Sequence, residues 1–292
     1  MFVHSFLMTD KFLMKIKLYL PTFLSLLLLV LLSACHTEND EYGPAIPKER
    51  QIDYFPLAIG NYWEYDREEQ IINHYYKTNT EKLTVTDSIE EFDTPGYLFT
   101  ADVATDKQGI ATQLLTGGTL NKVEGRLVFN GNFTYHFPVI EDSLVIPLQN
   151  ALILHQNRNE GYVLSTAEGQ IYQNLVIDQA EIPLIYNYNL QFIQGKTSTD
   201  APALVDDYEE MISSKLILTL SATAISDSQT VLNILPEQEV LVTDFSFAKD
   251  VGIFRTYSDI YLEFNHLSEF SLSEISPFTG WNSQELKKIN LK

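Results

Sequence analysis

Apolar and polar residues alternate along most of this chain with a period of two. Leu83 and Val85 alternate with Thr84 and Thr86, and Tyr97/Phe99, Leu127/Phe129 and Tyr162/Leu164 repeat the pattern. The cleanest runs are Leu216/Leu218/Leu220 and Ile260/Leu262/Phe264. Successive side chains of a strand point to opposite faces, so each run predicts a strand with one apolar face. Turn dipeptides fall between the runs at Pro95-Gly96, Gly117-Gly118, Asn130-Gly131, Glu160-Gly161 and Glu168-Gly169. Short strands at this spacing predict a mainly β fold: an antiparallel curved sheet, barrel-like or a sandwich, with one or two short helices. A parallel α/β fold needs long helical crossovers, and the pattern lacks them.

Helical spacing occurs twice. Leu204, Val205, Tyr208, Met211 and Ile212 follow Asp200 and Pro202, just ahead of the Leu216 strand. The second stretch predicts a C-terminal helix at about residues 283–291. There Asn282 and Glu285 suit a capping box, Trp281 and Leu286 its hydrophobic staple, and Lys287, Lys288 and Lys292 the negative end of the helix dipole.

One apolar run does not alternate. Lys11, Lys15 and Lys17 precede residues 18–32 (LYLPTFLSLLLLVLL), which end in Ser33-Ala34-Cys35. A basic start, a short apolar core and small residues at the cut describe a secretory signal peptide over residues 1–34. At 15 residues and with Pro21 inside it, the run is short for a bilayer-spanning helix. Met14-Lys15-Ile16-Lys17 is a more natural signal start than Met1. Leu32-Ser33-Ala34-Cys35 resembles the lipobox of bacterial lipoproteins. The resemblance implies that Cys35 is acylated, becomes the first mature residue, and holds the protein on the outer membrane by palmitate-type chains.

Residues 35–53 (CHTENDEYGP and on) form an acidic tether extended by Pro44 and Pro47, and residues 54–292 a single β-rich domain. The domain opens Tyr54-Phe55-Pro56-Leu57-Ala58-Ile59-Gly60-Asn61-Tyr62-Trp63-Glu64-Tyr65. This resembles the FPL-x-x-G-N-x-W-x-Y opening of a broad set of Bacteroidota lipoproteins, and Phe247 to Ile253 resembles the K-x-V-G segment near their other end. No chemistry is attached to that set. The residues themselves suggest a turn at Gly60-Asn61 and a core role for Trp63 and Tyr65 on one strand face. In the same set Glu38, Asp40 and Glu41 resemble a surface-export signal, and Asp87-Ser88-Ile89 and Asp142-Ser143-Leu144 resemble O-glycosylation sequons.

Charge narrows the function. The 292 residues carry 19 Lys and Arg against 39 Asp and Glu. Removal of residues 1–34 leaves 16 basic and 38 acidic residues, a net charge of −22. Such a surface repels phosphates, so nucleic acid is excluded as a partner and the body stands off anionic headgroups. With Cys35 the single cysteine, disulfides and thiol catalysis are excluded. The six histidines lack metal-binding spacing, and neither a G-x-S-x-G elbow nor a phosphate loop occurs, so the sequence predicts no catalytic residue, metal or cofactor. Acidic groups at Glu68-Glu69, Glu90-Glu91-Asp93 and Asp206-Asp207-Tyr208-Glu209-Glu210 read chiefly as solvated faces. Asp206, Asp207, Glu209 and Glu210 are the candidates for a cation or a carboxylate-dependent glycoside hydrolase.

Tyrosine is abundant and suits glycan and protein surfaces, so Tyr75, Tyr76, Tyr186 and Tyr188 are the candidate ligand contacts. The expected role is a non-catalytic binding module for a glycan, protein or envelope component, on the cell surface or the periplasmic face. The alternative is a periplasm-facing lipid-handling or envelope-assembly lipoprotein.

Overall fold

The computed structural model describes residues 51–71, 79–91, 94–138, 142–177, 180–198, 210–225, 229–270, 272 and 275–292, all within one compact unit, Ile46–Lys292. Twelve strands make one antiparallel sheet: β1 (Tyr62–Ile71), β2 (Asn79–Glu91), β3 (Thr94–Ala101), β4 (Gly118–Val123), β5 (Arg126–His136), β6 (Ser143–His155), β7 (Val163–Ile177), β8 (Ala180–Ser198), β9 (Met211–Ile225), β10 (Val231–Ala248), β11 (Gly252–Leu262) and β12 (Phe278–Asn290). Each strand pairs with its neighbours in sequence except across β6 and β7, and β1 also pairs with β12. The meander is therefore a ring cut once, between β6 and β7. Side chains bridge the cut. The Ser165 hydroxyl donates to the Leu152 carbonyl (3.0 Å), and the Gln173 amide donates to the Ser143 carbonyl (2.9 Å). The sheet is a nearly closed barrel, which protects both edges and decides against a sandwich.

A barrel of twelve strands is too wide for strand side chains alone to fill. The filler is a helix between β3 and β4, α1 (Ile110–Thr116), in which Ile110, Ala111, Thr112, Gln113, Leu114 and Leu115 are all buried. The wall at β9 is apolar, with Leu216, Leu218 and Leu220 fully buried on its inward face. Each such leucine contributes roughly 1.5–3 kcal/mol through burial. The wall that continues from it through β10, β11, β12, β1 and β2 carries polar residues, and Arg67 (β1), Glu81 (β2), Thr243 (β10), Thr256 and Ser258 (β11) and Asn282 and Gln284 (β12) are all buried there.

The two segments that resemble the lipoprotein set meet in space, at the end where β1 and β11 begin. Phe55 packs on Trp63 (ring centroids 4.8 Å apart) and on Phe247 (6.5 Å). Trp63 Nε1 donates to the Val251 carbonyl (2.6 Å), and the Tyr65 hydroxyl donates to the Ile253 carbonyl (2.9 Å). Gly252 sits between them with φ +105°, and a Cβ there would lie 2.9 Å from Trp63 Nε1. This aromatic plug is structural and matches the core role expected of Trp63 and Tyr65.

Several local expectations are corrected. The C-terminal helix is instead strand β12, laddered on one side to β1 and on the other to β11. Its inward positions beyond Phe278 are Asn282 and Gln284, so its period of two carried no apolar signal. Of the residues with helical spacing, Leu204, Val205 and Tyr208 lie outside the described residues, and Met211 and Ile212 open β9. Gly117-Gly118 is not a hairpin turn. Gly117 caps α1 and Gly118 starts β4, where a Cβ would collide with the Asn130 carbonyl. Pro95-Gly96 and Glu168-Gly169 lie within β3 and β7, and Asn130-Gly131 marks an irregularity in the β5–β6 ladder.

Candidate functional site

The end of the barrel opposite the aromatic plug holds a cleft of about 520 Å³. It is built where β1, β5 and β11 finish and β6 and β12 begin. Arg67 and Glu69 come from β1, Asp106, Gln108 and Gln113 from the turn and helix, His136 from β5, and Asp142 from just before β6. Ile260, Phe137 and Trp281 supply apolar wall.

The floor of the cleft rests on a hydrogen-bonded belt. Glu81 Oε2 accepts from the Gly109 N–H (3.0 Å), and Oε1 accepts from the Thr112 hydroxyl (2.9 Å) and from Gln284 Nε2. Gln284 Oε1 accepts in turn from the Ala111 N–H (2.9 Å) and the Thr256 hydroxyl (3.1 Å). The belt thus takes up free N–H groups at the start of α1, the place where a carboxylate is most favoured. Burial is the main influence on Glu81 and raises its pKa, although these donors and the charge of Arg67 oppose the shift. Arg67 donates to the Lys107 carbonyl and pairs with Glu69, which fixes the turn that leads into α1.

Above the belt the pairing stops. Arg67 Nε, His136 Nε2, Asp142 Oδ2 and Asn282 Oδ1 are buried, line the cleft through their residues, and have no hydrogen-bond partner among the described residues. Arg67 and Asn282 are 6% and 5% exposed, so bulk water does not substitute. Asp142 Oδ1, by contrast, accepts from Gln173 Nε2 (2.7 Å) and the Ser143 N–H (2.7 Å). His136 has its pKa lowered, first by burial, with Asp106 opposing. An unpaired buried polar atom costs about 1–3 kcal/mol, so four around one cleft leave a strong demand for donors and acceptors.

Trp281 links the cleft to the outer wall. It stacks on Tyr257 (6.2 Å, planes 20° apart) and donates from Nε1 to Gln70 Oε1 (2.6 Å). Tyr257 and Tyr261 are about a third exposed beside it (36% and 37%).

The expected site residues distribute differently. Tyr186 is fully buried against Phe137 (6.0 Å), its hydroxyl unpaired, its pKa raised first by burial and then by Asp142. It stands behind the cleft wall instead of on the surface, because its position on β8 falls on the inward face. Tyr188 is half-buried on the same strand and packs over Gly169. Glu210 is half-buried just ahead of β9, and its carbonyl accepts from the Lys249 N–H (3.1 Å). Cys35, Tyr75, Tyr76, Asp206, Asp207 and Glu209 lie outside the described residues. Among the described residues, no three carboxylate, imidazole or thiol side chains gather as a metal ion would need. Sequence reasoning missed Arg67, His136, Asp142 and Asn282 as a group. The one available signal was β1, whose inward alternation of Trp63 and Tyr65 continues into Arg67 and Glu69.

No protein-family model matches the chain, and no curated protein matches it in sequence. Among solved structures it is similar to a protein of Parabacteroides distasonis provisionally named a lipoprotein, at 10% identity and a TM-score of 0.29, over 82% of this chain and 99% of that one. Similarity at that level carries no inference about function or fold.

Proposed function

We propose that the chain is an outer-membrane lipoprotein, anchored through Cys35, whose barrel is a non-catalytic binding module that takes a glycan in the open-end cleft. The anchor rests on the Leu32-Ser33-Ala34-Cys35 lipobox behind a signal-like segment. The ligand class rests on one observation: donor Arg67 Nε, acceptors Asp142 Oδ2 and Asn282 Oδ1, and the two-way His136 Nε2 all lack partners around a single cleft. A sugar ring offers hydroxyls that donate and accept at once, and it presents apolar C–H faces to aromatic rings. Trp281 provides such a ring in the cleft lining, with Tyr257 stacked on it from the outer wall. An acyl chain would instead meet Arg67, Glu69, Asp106 and Asp142, which argues against the lipid-handling alternative.

The test is a soluble protein, residues 36–292, which keeps the whole compact unit. It is titrated with cell-envelope and host glycans alongside an Arg67→Met/Asn282→Ala variant. Saturable binding by the wild type, weakened about tenfold or more in the variant, is expected. Absence of saturable binding to every glycan, or equal binding by the variant, would overturn the proposal.

A further inference from the structure

The charges around the cleft do not balance. Among the described residues Arg67 is its one lining residue with a permanent positive charge, and its pairing with Glu69 uses that charge up. Asp106 and Asp142 remain, and among the described residues neither has a Lys or Arg within ion-pair reach. His136 stands near Asp106 but does not compensate, since burial favours its neutral form. Behind the wall Tyr186 adds an uncharged hydroxyl, close enough to Asp142 to feel its charge. The cleft therefore holds two unmatched carboxylates, one of them with a buried oxygen that accepts nothing. The rest of the molecule reinforces this potential, because the whole chain carries a net charge of −20. Low-dielectric walls focus such a field, which repels anions and concentrates cations.

We infer that the cleft selects a sugar bearing a free ammonium group, with Asp142 and Asp106 as the anionic partners and Arg67, Asn282 and His136 reading the neighbouring hydroxyls. This rests on the glycan reading and sharpens it. Uronic acids and sulfated or phosphorylated sugars are excluded by the same charges. An N-acetylated sugar has the same ring but replaces the cation by a neutral amide, so it separates charge recognition from shape. Charge-assisted hydrogen bonds are roughly twice as strong as neutral ones, which sets the scale of discrimination at about tenfold per ammonium contact.

The experiment compares three neutral-backbone probes on the residue 36–292 protein by calorimetry: oligomers of glucosamine, of N-acetylglucosamine and of glucose. The glucosamine oligomer is expected to bind about tenfold tighter than the other two at low salt, and to lose that advantage at high salt as the charges are screened. Asp142→Asn is expected to remove most of the advantage, so that its loss of affinity for the glucosamine oligomer exceeds its loss for the glucose oligomer by close to tenfold. Asp106 is exposed, so Asp106→Asn keeps the fold intact and repeats the test if Asp142→Asn unfolds. Equal binding of all three probes, or a preference insensitive to both substitutions, would overturn the inference and leave the glycan reading standing. If none of the three binds but another glycan does, the inference also fails alone; if no glycan binds, both fail.

Discussion

Glu81 offers the sharpest test of how the interior is held together. Its carboxylate is 1% exposed and accepts from the Gly109 N–H, the Thr112 hydroxyl and the Gln284 amide. Glu81→Ala removes the only acceptor of the Gly109 N–H and the acceptor of the Thr112 hydroxyl. Gln284 Nε2 keeps Thr112 Oγ1 at 3.0 Å. Two stranded donors at about 1–3 kcal/mol each, less the relief of no longer burying a carboxylate, give a loss of roughly 3 kcal/mol. Glu81→Gln keeps one acceptor but turns an NH₂ toward a donor, and is expected to cost about half as much. Urea unfolding followed by the fluorescence of Trp63, which is fully buried, reads both. The pH dependence gives an independent check. Burial raises the pKa of Glu81 above its ordinary 4.5, so the folded chain holds this proton where the unfolded chain has released it. The carboxyl's contribution is therefore fullest below that ordinary value and is lost as pH rises through the raised one. Relative to Glu81→Gln, which does not titrate there, the wild type should gain stability as pH falls from neutral toward 4.5. A loss under about 0.5 kcal/mol for Glu81→Ala, or an advantage that shrinks on acidification, would refute the account of the belt.

Three further outcomes follow from particular residues. Gly252→Ala puts a Cβ at φ +105° and 2.9 Å from Trp63 Nε1, so it should destabilise the plug by about 2–3 kcal/mol, read in the same urea assay. Tyr186→Phe deletes a buried hydroxyl that has no partner, and should raise the stability of the free protein by up to about 1 kcal/mol; a loss of stability would mean the hydroxyl is satisfied. Cys35→Ala should move the protein from the membrane pellet to the soluble fraction of broken cells, and protease added to intact cells carrying the anchored form reports which leaflet the body faces.

The fold was legible where burial is apolar. β9 shows Leu216, Leu218 and Leu220 in the sequence and buries all three, and a meander of such strands has few ways to close. The motif halves around Trp63 and Gly252 were also visible, though 188 residues separate Tyr65 from the Ile253 carbonyl it binds, and no local pattern shows that they touch. What stayed hidden lies on the polar wall. β12 turns Asn282 and Gln284 inward, so its alternation pairs polar with polar and resembles a capped helix. Helix α1 escaped for a related reason: at seven residues and buried on all sides it has no amphipathic face to display. Its conformation is imposed by the barrel around it and by the acceptors that Glu81 and Gln284 bring to its first turn.

The same wall explains why the cleft is where it is. Inward polar residues are tolerated in a barrel only if partnered, and up the wall from Thr243 through Ser258, Thr256, Gln284 and Glu81 the partners are supplied by the chain. The helix start consumes the last of them. One step further toward the open end stand Arg67 on β1 and Asn282 on β12, also buried, with Nε and Oδ1 unmatched. Packing accounts for the first set, since removing any member strands another. It does not account for the second, because apolar residues at those positions would fill the space at no hydrogen-bonding cost. Arg67 retains one structural task, holding the turn before α1, but that task uses its terminal nitrogens and leaves Nε free. Under the proposed function these atoms take their partners from the ligand, which gains what the fold forgoes.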